Sequence, residues 1–332
     1  MTTHTRTGWT GDGQTAAETL IYNFDMSAAY PKWIGDIAHA QQCHSARAAC
    51  PVEAGPFCRQ PGDGQNVPDM APMLFANGNL CTGGGDVAWG SGYVNVLDWV
   101  HRYYDDEQLL KYHYDNAVAY MQWLNTSVQQ SPTPNNALLD LTHPTSYGDW
   151  CAAVEPYQAR HTSNLINGFF WLKGAGIISS FSTELNNTAA AAQWADVFAR
   201  GKVQYNSLYF NKTSTGYADV PCTPGGQGKM PCHDVNVDGA LSVQTLQALP
   251  ITLGLADTSA AIETVSGVLA DAVVNNAYPN RTDTGLVGTK YVLPALVAVG
   301  RPDLAFTIAT AMDYPSWGRM VPPSVHPLGT IL

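Results

Sequence analysis

Residues 92–128 read GYVNVLDWVHRYYDDEQLLKYHYDNAVAYMQWLNTSV. Apolar residues recur at spacings of three and four through 92–104 and again through 106–128, the period of an amphipathic helix. Only Asp105-Asp106 separates the two stretches, and so short a break makes antiparallel neighbours. The same pairing repeats along the chain: 13–24 with 27–41, 161–182 with 188–206, 240–254 with 258–275, and 288–299 with 302–312, the last pair joined by Gly300-Arg301-Pro302-Asp303. Long polar segments lie between the pairs, at 43–90, 129–160, 207–239 and 276–287. Strand signals are few.

Five helical hairpins alternating with long loops suit an all-α, α/α toroid, in which inner helices ring an axis and the loops gather at one end to make a site. Solenoids of TPR or HEAT type have near-constant periods and short loops, whereas these hairpins vary in length and their linkers reach tens of residues. The expectation is one toroid domain over 1–332, with a Cys-rich loop insertion around 43–85. With five hairpins visible of six, it is expected to be short of helix at its termini.

A domain of 332 residues removes about 75% of its extended-chain surface from water, so its core needs no metal or disulfide to be stable. No window holds the ~18 uninterrupted apolar residues of a membrane span. The 16 basic and 27 acidic residues give a formal charge of -11, which argues against nucleic acid and anionic membrane as partners. Charged residues are 13% of the chain, about half the usual share. Ser, Thr, Asn, Gln and Gly do much of the solubilising, a habit of secreted proteins and of proteins that handle neutral polar ligands such as sugars.

Cysteines stand at 43, 50, 58, 81, 151, 222 and 232. Clustering in loops predicts disulfides formed in an oxidising compartment, and the spacings lack the paired CxxC of zinc sites. Sequons at Asn125, Asn186, Asn211 and Asn280 agree with an extracellular or secretory protein. No signal-peptide pattern opens the sequence, so a mature chain or a fragment is expected. No metal and no cofactor is expected.

The loops hold the Trp and carboxylate residues that a sugar site uses. Aromatic faces stack on the apolar C–H face of a sugar, and carboxylates accept its hydroxyls. Three clusters combine them with glycine: Gly8-Trp9-Thr10-Gly11-Asp12, Asp86-Val87-Ala88-Trp89-Gly90 and Tyr147-Gly148-Asp149-Trp150. Asp12, Asp86 and Asp149 can each be read instead as the N-terminal cap of a helix. Glycoside hydrolysis needs two carboxyl groups, and Asp12, Asp86, Asp149 and Glu155 are the available ones. Asp234-Val235-Asn236-Val237-Asp238-Gly239 copies the start of a calcium loop, but its twelfth position is Thr245 rather than the bidentate Glu such loops use. His143 and His161, flanking the Asp149 loop, are read as structural. There is no nucleophile-elbow serine, Walker loop or dinucleotide fingerprint.

Taken in order, these clusters resemble the six-hairpin catalytic domain of glycoside hydrolase family 78, the α-L-rhamnosidases, over almost the whole chain. Arg6-Thr7-Gly8-Trp9-Thr10-Gly11-Asp12 matches the family's Arg-x-Gly-Trp-Thr-Gly-Asp. Ala88-Trp89-Gly90, Gly148-Asp149-Trp150 and Gln244-Thr245 match further motifs. So do Thr284-Gly285-Leu286-Val287-Gly288-Thr289 and Tyr314-Pro315-Ser316-Trp317-Gly318-Arg319-Met320. The resemblance implies an (α/α)6 toroid that hydrolyses terminal, non-reducing α-L-rhamnose with inversion. A rhamnose-containing glycoside or polysaccharide is the implied partner. Trp9, Trp89 and Trp150 would wall the pocket, and Arg6, Asp12 and Asp149 would bind the sugar, with Asp12 the best-supported carboxylate and the candidate catalytic one.

The chain departs from the family at the chemistry. His4-Thr5-Arg6 stands where the family has Asp-Glu-Arg, and that Glu is the family's general acid; Thr5 cannot protonate a leaving oxygen. Trp89-Gly90-Ser91 replaces Trp-Gly-Asp. The family's Thr-Thr-x-Trp-Glu, which carries its water-activating base, has no counterpart in residues 321–332, and its flanking β-domains are not in this sequence. An α-L-rhamnosidase-like chain with little or no hydrolysis is therefore expected. The alternatives are a non-catalytic carbohydrate-binding protein and an α/α-toroid glycosidase of other specificity.

Overall fold

The helices pack in hairpins through their apolar faces, and in the central hairpin one helix is buried along most of its length while its partner buries a single stripe. In the computed structural model, which describes residues 8–46, 66–72, 86–129, 147–153, 164–211, 216–218 and 242–320, the pairing shows clearly around the stretch quoted above. Helix α4 (Gly92–Tyr104) buries every residue from Gly92 to Val100. Its partner α5 (Glu107–Gln129) buries Leu110, His113, Ala117, Tyr120, Met121 and Leu124, spacings of three and four that leave the other face to water. Asp105, left-handed at φ 54°, ends α4. Asp106 Oδ1 then accepts from Leu109 N at 2.9 Å and starts the return helix.

The remaining helices also pack through apolar faces, of varying width. Before this hairpin come α1 (Thr10–Asn23), α2 (Ala29–Ala46) and the single turn α3 (Val87–Gly90). After it come α6 (Asn164–Glu184), α7 (Thr188–Tyr209), a two-stranded ribbon of β1 (Phe210–Asn211) and β2 (Gly216–Tyr217), and α8 (Val243–Thr252). The chain continues through α9 (Ser259–Val274), α10 (Leu286–Ala298), α11 (Pro302–Thr310) and α12 (Trp317–Met320). In the ribbon, which is antiparallel, Phe210 pairs with Tyr217. Helix α8 is buried from Gln244 to Pro250, whereas α9 buries only Val265, Leu269, Ala272 and Val273. Gly300 (φ 76°) turns the chain out of α10, and Pro302 opens α11 at a position where the missing N–H costs nothing.

All ten helices expected from periodicity are present. The differences lie at their ends: α1 begins at Thr10, three residues before the expected start, and α3 and α12 fall where the pattern gave loops. The Cys-rich insertion around 43–85 falls largely outside the described residues, as do Cys222 and Cys232. Cys151 is described and is exposed.

The chain divides into two compact units, residues 1–148 with 166–205 and 228–230, and residues 149–165 with 206–227 and 231–332. In the first, α4 packs against α1, α2 and α5. There α6 meets α7 at Gly201, whose hydrogen faces Trp171 and Leu172. In the second, α8 and α10 form the central pair, with α9 against α8 and α11 against α10. Each fully buried Leu, Val or Ile of these stripes contributes about 1.5–3 kcal/mol. No helix of the described residues is long and apolar enough to cross a membrane.

Candidate functional site

In the first unit the Gly8–Asp12 and Asp86–Gly90 stretches meet. The backbone at Trp9 pairs antiparallel with Met70: Ala71 N donates to Gly8 O at 2.8 Å and Thr10 N to Asp69 O at 2.9 Å. This short bridge fixes the entry to α1. The first turn of α1 then lies on the Trp89 indole, and a Cβ on Gly11 would overlap that ring. Gln14, one turn further on, donates to Ala88 O and accepts from Asn95 Nδ2 at 2.7 Å, which locks α1 to α3 and α4. Asp86 caps α3: its Oδ1 accepts from Trp89 N at 2.8 Å. Its Oδ2 accepts from Tyr147 N, also at 2.8 Å.

Tyr147 is thereby held between the two tryptophans. Its ring lies 4.7 Å from Trp89, tilted by 47°, and 5.8 Å from Trp9, edge-on at 85°. Trp9 and Tyr147 are partly exposed, while Trp89 is buried. The Trp89 Nε1–H finds no acceptor among the described residues. Asp12, in the first turn of α1, reaches solvent. Desolvation nevertheless holds its carboxyl above the ordinary aspartate range, against the pull of its own backbone N–H.

The Asp149-Trp150 cluster belongs to the second unit and is built differently. Asp149 is buried, and its carboxylate accepts from Thr245 Oγ1, from Gly285 N at 2.8 Å and from Gly288 N at 2.9 Å. Three of the motifs quoted above thus converge on one carboxylate. Burial raises its pKa, and those same donors oppose the rise. Leu286 N donates to Trp150 O at 2.7 Å. Beside this knot, Asp283 accepts from Ser242 Oγ and from Asn276 Nδ2. Burial, with Asp149 nearby, pushes Asp283 up to about 6. The Tyr314–Met320 motif borders the same loop: the Tyr314 hydroxyl donates to Ala153 O at 3.4 Å, and Arg281 pairs with Asp313 at 3.0 Å.

Of the expected site residues, Trp9, Asp12 and Trp89 share the first unit and Asp149 and Trp150 the second. Arg6, Thr5, Glu155, His143, His161 and the 234–239 loop lie outside the described residues. Asp12 is not a cap but the third residue of α1; Asp86 caps the helix that follows it; Asp149 serves the start of α10 instead of a helix next to it. Tyr147, Thr245, Gly285 and Gly288 were quoted only as motif positions, and their roles come from contacts far along the chain. Among the described residues no three His, Cys, Asp or Glu side chains are grouped to hold a metal.

Residues 3–323 match the family described as the bacterial alpha-L-rhamnosidase 6 hairpin glycosidase domain. An alpha-L-rhamnosidase of Streptomyces avermitilis is 24% identical over 313 residues, which are 94% of this chain and 24% of that protein. One from Formosa agariphila is 22% identical over 319 residues, 93% of this chain and 28% of its own length. This chain thus spans about a quarter of the curated relatives it matches. The alpha-L-rhamnosidase from Dictyoglumus thermophilum superposes with a TM-score of 0.71 at 24% identity, over 95% of this chain and 29% of that one. The Streptomyces avermitilis alpha-L-rhamnosidase complexed with L-rhamnose superposes at 0.66 and 22%, over 95% and 24%. These likenesses show the six-hairpin fold.

Proposed function

The chain belongs to the bacterial alpha-L-rhamnosidase six-hairpin glycosidase family, and on that premise we propose that it binds the terminal α-L-rhamnose of a glycoside or polysaccharide and takes part in its hydrolysis with inversion. The observation that carries this reading is the aromatic cluster of Trp9, Trp89 and Tyr147, which joins two family motifs at the partly exposed face where α1 begins. Flat aromatic walls suit the C–H faces and the methyl group of a 6-deoxy sugar. The buried Trp89 Nε1–H is a donor with no acceptor among the described residues.

Hydrolysis breaks the bond between the anomeric carbon and the leaving oxygen. A carboxylic acid gives that oxygen a proton, and a carboxylate takes one from the attacking water. Asp12 is the solvent-reaching carboxyl beside the aromatic cluster, and its raised pKa suits a group that holds its proton. Thr5, at the family's acid position, favours a second reading: a domain that binds rhamnose without cleaving it. Calorimetry with L-rhamnose and turnover of an aryl α-L-rhamnoside, run on one preparation, separate the two. Binding with turnover supports the hydrolase, and binding alone supports the second reading. Absence of binding overturns both.

Secretion through an oxidising, glycosylating compartment fits the loop cysteines and the sequons. Asn186 and Asn280 sit exposed at left-handed turns. Mass spectrometry of the protein from a secreting host, before and after reduction and endoglycosidase treatment, tests this; an unglycosylated, fully reduced chain contradicts it.

A further inference from the structure

Asp149 is surrounded by donors from its own unit. Its Oδ2 accepts from Thr245 Oγ1 and Gly285 N, and its Oδ1 accepts from Gly288 N. The N–H of Val287 is also directed at the carboxylate. A carboxylate offers about four lone-pair sites, so little capacity remains for a sugar hydroxyl. The residue is also buried, 7% exposed.

The adjoining backbone is fixed as firmly. Gly285, the residue that precedes α10, has no side chain to cap the helix; Asp149 supplies the cap from 136 residues away. A Cβ on Gly285 would fall 2.6 Å from Trp150 O, so the two chains touch directly. Leu286 N ties down that same oxygen. On either side, Gly148 and Cys151 are left-handed, at φ 56° and 61°. The chain therefore turns sharply in and out, with Asp149 driven into the knot and Trp150 left partly exposed.

We propose that Asp149 is a positioning residue: through Thr245 and the first turn of α10 it sets the place of the Trp150 indole, and it does not itself touch the sugar. This rests on the reading of Trp150 as a wall of the rhamnose pocket. It joins the Gly-Asp-Trp, Gln-Thr and Thr-Gly-x-x-Gly-Thr stretches into one device that holds an aromatic side chain still.

The test compares the wild-type chain with Thr245→Val, Thr245→Ser and Asp149→Asn. Thr245 is buried on α8, so its variants disturb the carboxylate without entering a pocket. L-Rhamnose affinity is read by calorimetry. The Trp150 environment is read by fluorine NMR of the 5-fluorotryptophan-labelled chain, its signal identified by loss in Trp150→Phe. Thr245→Val is expected to shift or split the Trp150 signal, leave those of Trp9 and Trp89 in place, and weaken rhamnose by about tenfold or more. Thr245→Ser, which keeps the hydroxyl, restores both. Two results overturn the proposal: an unmoved Trp150 signal in Thr245→Val, or an Asp149→Asn chain that folds and loses rhamnose with that signal unmoved, which would make Asp149 a direct ligand. A wild-type chain that does not bind L-rhamnose overturns the reading of the pocket instead, and the Trp150 signal then decides alone whether Asp149 sets the indole.

Discussion

The aromatic cluster around Trp89 and the polar knot around Asp149 solve opposite problems. Trp89 and Tyr147 are held by contacts behind them, at Gly11 and Asp86; Trp9 and Tyr147 keep partly exposed faces, and the buried Trp89 indole N–H has no acceptor among the described residues. A buried donor without a partner costs about 1–3 kcal/mol. That cost is typical of a surface shaped for something other than itself. Around Asp149 the polar contacts among the described residues close within the unit, and two buried carboxyls are satisfied by hydroxyls, an amide and backbone N–H groups. One region keeps aromatic faces partly exposed, and the other ties its loop down with hydrogen bonds.

The glycines of the two regions separate these roles most sharply. In Gly285→Ala the new Cβ would press on the backbone carbonyls of Asp149 and Trp150, which cannot swing away. A loss of about 3 kcal/mol or more is expected, read as a fall in the denaturant midpoint. An unchanged midpoint would mean that the close approach is not a constraint.

The next effect depends on pH. Asp283 has its pKa raised to about 6 in the folded protein, above the ~3.9 of an unfolded aspartate. Between about 4 and 6 the native state therefore keeps a proton that the unfolded chain has released. Stability is greatest below that window and falls as pH rises through it. The raised pKa of Asp149 acts in the same direction. Asp283→Asn replaces the carboxylate by an amide that can still accept from Asn276 and donate to Ser242. It should leave stability near pH 4 little changed and raise it at pH 8 by roughly 2–3 kcal/mol. Melting curves for both proteins across that range check the sign; parallel pH profiles would refute it.

Legibility in the sequence follows the same divide. The ten long helices announced themselves through their period, because each buries a stripe against a neighbour. The start of α1 did not: Trp9 precedes it without a side-chain cap, and Gly11 and Gly13 are weak helix formers. At four residues, α3 is too short to show a period. The aromatic cluster was partly visible, since Trp9 and Trp89 sit in recognisable motifs, but no local signal tells that Tyr147 joins them. The knot was hidden altogether. Asp149 meets Gly285 and Gly288 across 136 and 139 residues, and a carboxylate beside a tryptophan reads equally well as a cap, a sugar ligand or an anchor.

A smaller effect contrasts with Gly285. Gly11→Ala sets its Cβ against the Trp89 ring, a side chain that can shift, instead of backbone. About 1–2 kcal/mol of stability should be lost, less than for Gly285→Ala, whereas rhamnose affinity should fall more than stability does. Calorimetry beside a denaturation curve distinguishes the two losses. Equal behaviour of the two glycine variants would erase the distinction between an open region and a closed one.

The smallest change tests the buried indole N–H itself. Trp89→Phe removes a buried donor that has no acceptor among the described residues. The gain from relieving that group offsets part of the packing lost with the smaller ring, so stability should move by under about 1.5 kcal/mol. If the indole N–H is reserved for a sugar hydroxyl, rhamnose affinity falls by about five- to tenfold, the size of one neutral hydrogen bond, while Tyr147 and Trp9 still supply their faces. If affinity is unchanged, the N–H is a cost of packing Trp89 beneath α1, and sugar recognition in this unit rests on the aromatic faces and on Asp12. The contrast with the knot would then be one of exposure alone and not of an unused hydrogen bond.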